Sequence, residues 1–216
     1  PLCEDSHQTR LGQGFYETHR LQPEAIANTA HAVARFAADA RQFKADSVRV
    51  IATSAARDAV NPHELLTAIE VAAGLKVEII SGEKEADWAF RGVTTDPDLA
   101  TRPLLLLDVG GGSTEFILGQ GEQRHFCQSF RLGTVRLLET IPPDDPPTAS
   151  RLAETRRWLQ DFIETKIRPV LQPALQRETA LNAARSPVIL VGTGGTTSIL
   201  ARMEARMESF DRERIE

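Results

Sequence analysis

LLLLDVGGGSTEFILG, residues 104–119, decides how the rest of the chain is read. Four leucines running into Asp108 predict a buried strand, and the glycines after it predict a tight turn. Phe116, Ile117 and Leu118 then read as a second strand, ended by Gly119. Asp108 therefore closes one strand and Glu115 opens the next. Between them Gly110, Gly111, Gly112, Ser113 and Thr114 make a hairpin too long for a two-residue turn and almost without side chains. Such a loop costs conformational entropy. What it offers in return is backbone N–H groups that can approach a ligand closely, and a small anion is the usual ligand.

The 216 residues suffice for one large domain or two small ones. With 41% hydrophobic and 25% charged residues, the composition is that of a globular protein and argues against disorder. No apolar run approaches the roughly 18–20 residues of a transmembrane helix. Cys3 and Cys127 lack metal-binding spacing and read as reduced thiols, so the expectation is a cytoplasmic protein without a membrane partner. A net charge of -5 would not draw a polyanion by itself, so a phosphate-rich ligand needs local arginines. Without a basic stripe or interleaved aromatics, and with Tyr16 the sole tyrosine, nucleic-acid binding is not expected.

Strand and helix patterns alternate along the chain, which predicts an α/β fold. Residues 10–14 read as a strand end and turn. A helix is expected from Pro23, with proline in its first turn, to about Phe43. Strands are expected at 47–54 and 75–81, with a helix capped by Asn61 between them and another helix over 82–93. The polar, proline-containing stretch 94–103 reads as a linker, dividing the chain into domains 1–100 and 101–216. After the glycine hairpin come a strand over 124–132 and a short helix opened by Gly133. A long helix follows from about Thr148, with Pro169 and Pro173 expected to bend or break it.

A second strand and glycine turn occupies VILVGTGGTTSIL, 188–200, where Gly192, Thr193, Gly194, Gly195 and Thr196 precede a helix. A helix N-terminus with flexible backbone before it suits phosphate. The turn lacks the lysine of a P-loop and the third glycine of a dinucleotide loop. RLGT at 131–134 makes a third glycine turn, and the three together point to phosphate binding rather than to packing alone.

DVGGGSTE at 108–115, ATSAARDA at 52–59, ISGEKEA at 80–86 and GTGGT at 192–196 occur in one order along the chain. With RLGQG at 10–14 and RLGT, they resemble the exopolyphosphatase / guanosine pentaphosphate phosphatase family of the acetate kinase–sugar kinase–Hsp70–actin superfamily. The resemblance covers nearly the whole chain. It implies two actin-like (ribonuclease H-like) domains with an active-site cleft between them. It also implies hydrolysis of the terminal phosphoanhydride of polyphosphate, or of the 5'-γ-phosphate of guanosine pentaphosphate, with Mg2+, by a homodimer. On the matching positions, Asp108 and Glu115 are the acids beside Mg2+, and Glu85 is the base that takes a proton from water. Arg57 grips phosphate, with Thr53 and Ser54 as further hydroxyl contacts.

Periodicity alone does not say whether Glu83 or Glu85 faces the cleft, and with Gly82 as N-cap Glu85 could be a capping-box acid. Arg131 and Arg136 flank Gly133 and read either as channel-lining charges or as surface charges. His7, His19, His31, His63 and His125 show no metal spacing. The family's opening D-x-G-S-N loop is not found here, so the expectation is an internal piece, incomplete at both ends. Two other functions remain compatible with the sequence. One is a superfamily small-molecule kinase, which would need an acceptor. The other is a polyphosphate- or nucleotide-binding sensor, which would need no base.

Overall fold

The computed structural model describes residues 3–182, 187–208, 211 and 214. Its contacts divide the chain into two units, Pro1–Gly82 and Glu83–Glu216. No helix among the described residues is long and apolar enough to cross a membrane.

In the first unit, α1 (Pro23–Gln42) packs against α3 (Pro62–Ala73), and α2 (Ser54–Asp58) follows the strand β1 (Val50–Ala52). β1 pairs in parallel with β2 (Val77–Ile79), Val50 opposite Val77. Both strands are shorter than the apolar patterns suggest, because the chain turns into α2 at Ser54 and into the next helix at Gly82. Residues 11–14 form a turn. Proline starts α1 and α3, where its missing N–H costs nothing. The buried Asn61 side chain accepts from the Leu21 N–H at 2.9 Å and donates to the Leu21 carbonyl at 3.1 Å, tying the two helix starts together. Phe15, Leu21, Ile26, Leu65 and Ile69 fill the core beneath.

The second unit is built on a four-stranded sheet of order β5-β4-β3-β6. Its strands are β3 (Leu104–Val109), β4 (Thr114–Gln120), β5 (Gln123–Phe130) and β6 (Ile189–Thr193). The first three form an antiparallel meander, and β6 joins β3 in parallel after a helical crossover. That crossover comprises α6 (Thr134–Thr140), α7 (Ala149–Phe162), a π-helical turn (Ile163–Ile167) and α8 (Arg168–Asn182). The expected break at the prolines does not occur. Helical backbone runs through both, and a wider π turn ends at Ile167, just before Arg168 and Pro169, whose ring in an ordinary turn would crowd the carbonyl four residues back. α9 (Gly195–Glu204) follows β6.

Two helices precede this sheet in the chain: α4 (Gly82–Val93) and the short α5 (Pro97–Ala100). The division of contacts at Gly82/Glu83 lies well before the linker at 94–103, and the reason is packing. Ala86 and Phe90, one helical turn apart, are fully buried with Leu104, Leu106 and Ile117 on one face of the sheet. α4 therefore belongs with the sheet, and the polar stretch after it is a connection inside the second unit. A β-bulge between Leu118 and Gly119 leaves His125 as the extra residue of β5. Arg124 reaches Asp87 of α4 at 3.1 Å, and His125 meets the buried Glu178 of α8 at 2.8 Å.

Gly119 is where α4 seats. A Cβ there would lie 2.6 Å from the Phe90 ring and 2.3 Å from the Gln123 carbonyl oxygen. Gly119→Ala should therefore cost about 1–3 kcal/mol in denaturant unfolding. Gly92→Ala, in the last turn of α4 with no heavy atom within 4 Å of the new Cβ, should gain up to about 0.5 kcal/mol. Equal stability of the two variants would show that Phe90 does not dock as described.

Candidate active site

The ladder fixes the site before any side chain is placed. Asp108 on β3 is paired with Glu115 on β4 and with Thr193 on β6, and Glu115 is paired with Ser129 on β5. Directly paired residues share a face of a sheet, so Ser129, Glu115, Asp108 and Thr193 form one polar row across four strands. One row back on the same face stand Cys127, Ile117, Leu106 and Val191. These belong to the apolar cluster that receives Ala86 and Phe90. The helix seated on that cluster begins only a few residues before Ala86, which brings Glu85 to the polar end.

Glu85 is half-buried, whereas Glu83 is exposed. With α4 starting at Gly82, Glu85 is the fourth helical residue and lies beyond the capping-box position. Its charge reaches both acids of the row. Burial, and then repulsion from Glu85, pushes the Asp108 carboxyl above its ordinary range. The Glu115 carboxyl is also raised, first by burial, against the pull of hydroxyl bonds from Ser129 and Ser113, and then by Glu85 and Asp108. The Ser129 Oγ–Glu115 Oε1 bond is 2.6 Å. Three carboxyl groups thus converge, one from a helix and two from strand ends.

Both glycine turns border this row. Gly110–Ser113 closes the β3–β4 hairpin, with the Gly110 N–H donating to the Ser113 carbonyl at 3.0 Å. Gly194 has φ +87°, a conformation that side chains disfavour. A Cβ on it would also fall 2.7 Å from Asp108 Oδ1, so glycine is required twice over. α9 then opens at Gly195, with its first N–H groups beside the acids' end of the sheet. The third turn plays another part: Gly133 packs backbone to backbone on Gly111 and Gly112.

Asp108, Glu115, Glu85, Ser113 and the Gly192–Thr196 turn therefore come together in the second unit. Arg57, Thr53 and Ser54 belong to the first unit. There the Arg57 guanidinium donates to the Ile80 carbonyl at 3.0 Å, and Thr53 precedes α2, which starts at Ser54. Ser129 was not legible as a site residue, because only the β4–β5 register places it opposite Glu115.

The Ppx/GppA phosphatase family model matches residues 1–216, and the chain belongs to that family. It is 40% identical over 198 residues to a protein named Exopolyphosphatase 2 from Mycobacterium tuberculosis, a match covering 89% of this chain and 59% of that protein. It is 28% identical over 221 residues to a guanosine-5'-triphosphate,3'-diphosphate pyrophosphatase from Photobacterium profundum, covering 98% of this chain and 44% of that one. The crystal structure of an exopolyphosphatase-like protein superposes with a TM-score of 0.75 at 30% identity, over 94% of this chain and 60% of that chain. The chain thus spans at most about three fifths of the length of these relatives.

The raised Asp108 carboxyl has a consequence for stability. Below its unfolded value, both states are protonated and nothing is gained or lost. As pH rises through the raised folded value, the folded protein must ionise at a cost and stability falls. Asp108→Asn should therefore melt higher than the wild type at about pH 7, with the difference gone near pH 3. An Asp108→Asn protein no more stable than wild type at neutral pH, in thermal melts without ligand, would contradict the crowding of charge described here.

Proposed function

We propose that this chain carries the phosphate-cleaving site of a hydrolase that removes the terminal phosphate of inorganic polyphosphate or the 5'-γ-phosphate of guanosine pentaphosphate. The observation that carries the reading is the convergence of Glu85 with Asp108 and Glu115 beside two glycine turns. Binding alone needs no general base. A hydrolytic site needs one to take a proton from water. Membership of the Ppx/GppA family supports the same reaction class.

In this reading water attacks the terminal phosphorus and its proton passes to the Glu85 carboxylate. The bond from phosphorus to the bridging oxygen breaks. The products are orthophosphate and a chain one phosphate shorter, with the leaving oxygen carrying the electron pair. The N–H groups of the Gly110–Ser113 loop and of the α9 start stabilise charge on the equatorial oxygens. Arg57 is assigned a bidentate grip on phosphate, as the family resemblance implies.

Asp108, with Glu115 beside it, would hold Mg2+, which would supply positive charge between the acids and the phosphate. The donor set fits. Among the described residues no three His, Cys, Asp or Glu side chains form a ready metal cage. Mg2+, however, usually takes one or two carboxylates and fills the rest with water and phosphate oxygens. Ser129 and Ser113 hold Glu115 in place, which leaves Asp108 the more available ligand.

Phosphate release from polyphosphate and from guanosine pentaphosphate by the full-length protein is the direct test. Glu85→Gln should lower kcat by about 10²–10⁴-fold with KM little changed. Turnover equal to wild type would remove Glu85 as the base, and no release from either substrate would end the proposal.

A further inference from the structure

The peptide planes of the glycine loop are held from behind. The Thr134 N–H donates to the Gly110 carbonyl at 3.1 Å, and the Val135 and Arg136 N–H groups donate to the Gly111 carbonyl at 2.9 and 3.0 Å. The Arg136 side chain continues the series, its Nε donating to the Gly112 carbonyl at 2.8 Å. Three consecutive carbonyls are thus captured by the start of one short helix.

A trans peptide is planar, and its N–H points opposite to its C=O. Capturing the carbonyls of Gly110, Gly111 and Gly112 on one side therefore aims the N–H groups of Gly111, Gly112 and Ser113 to the other side. A run of glycines cannot hold that arrangement alone, because each peptide can flip at little steric cost. A flip would present a carbonyl oxygen to the anion and turn attraction into repulsion.

Gly133 permits the contact. A Cβ there would lie 2.4 Å from the Gly111 carbonyl carbon and oxygen and 2.5 Å from the Gly112 nitrogen. The RLGT turn is thus a support of the anion loop rather than a third anion turn. Thr114 adds a further tie, its hydroxyl donating to the Leu132 carbonyl within the same turn.

We infer that Arg136 and the start of α6 are a positioning brace that keeps three loop N–H groups turned toward bound phosphate, with Arg136 acting through the Gly112 peptide and not as a charge on the polyanion. The inference rests on the phosphate reading above.

The test uses the full-length protein with amide nitrogens labelled, and inorganic pyrophosphate as the probe. In wild type, pyrophosphate should shift the amide signals of Gly111, Gly112 and Ser113. Arg136→Met should weaken that binding, and raise KM for polyphosphate, by about tenfold or more, with a smaller effect on kcat and an unchanged pH profile. Arg136→Lys keeps the charge but lacks the planar Nε donor, and should stay impaired. Full recovery with lysine would mean that Arg136 acts as a charge, and would overturn the brace. Wild-type KM and pyrophosphate binding in a folded Arg136→Met protein would do the same. So would the absence of loop amide shifts in wild type. Gly133→Ala is the second variant, expected to disturb the same three amides through the backbone clash. If the wild type binds pyrophosphate at these amides but releases no phosphate, the proposed hydrolysis fails and the brace stands.

Discussion

Three carboxyl groups set close together at the end of one sheet oppose one another, and burial makes the two on the strands harder to ionise. That cost is visible in the raised Asp108 and Glu115 carboxyls. A chain does not arrive at such a cluster by local preference, so something else must force the groups together. Here the force is apolar. Ala86 and Phe90 are fully buried against Leu104, Leu106 and Ile117, and that packing carries Glu85 to the acids. Burying a phenylalanine contributes about 1.5–3 kcal/mol, enough to offset repulsion between partly solvated carboxylates.

The backbone works in the same direction. Asp108 and Glu115 sit on ladder positions, where position is set by every hydrogen bond of the strands and not by a loop. Three glycines allow the close approaches that bring the remaining parts in. Gly119 admits Phe90, Gly194 admits the Asp108 carboxylate, and Gly133 admits the backbone of Gly111 and Gly112. Each would clash as alanine, and each clash would displace a different part of the site.

Much of this was legible in the sequence. The apolar runs before the glycine turns at 110–112 and 192–195 announced two strands, because four or more apolar residues before a glycine turn leave few alternatives; the sheet sets them side by side. The pairing of Asp108 with Glu115 followed from a single hairpin. Other features depended on contacts distant in sequence. The β5 segment QRHFCQSF is mixed in character, and its register depends on a bulge that its residues do not advertise, so Ser129 was invisible as a partner of Glu115. The stretch 94–103 has the composition of a domain linker. Only Phe90 against Gly119 reveals that the helix before it belongs to the sheet that follows. Pro169 and Pro173 signalled a bend or break, yet the backbone stays helical through both, with a π turn just before Pro169.

The RLGT turn shows most clearly why motif reading stops short of mechanism. A glycine before a helix start predicts N–H groups awaiting an acceptor, and that much is correct. The acceptor is the neighbouring Gly110–Gly112 loop, whose own carbonyls need partners. The α6 donors and the loop's own N–H groups are therefore linked through the same peptide planes: satisfying the carbonyls orients the N–H groups. A loop without side chains can be rigid in this way only if a second element supplies the order its sequence lacks, and α6 with Arg136 is that element.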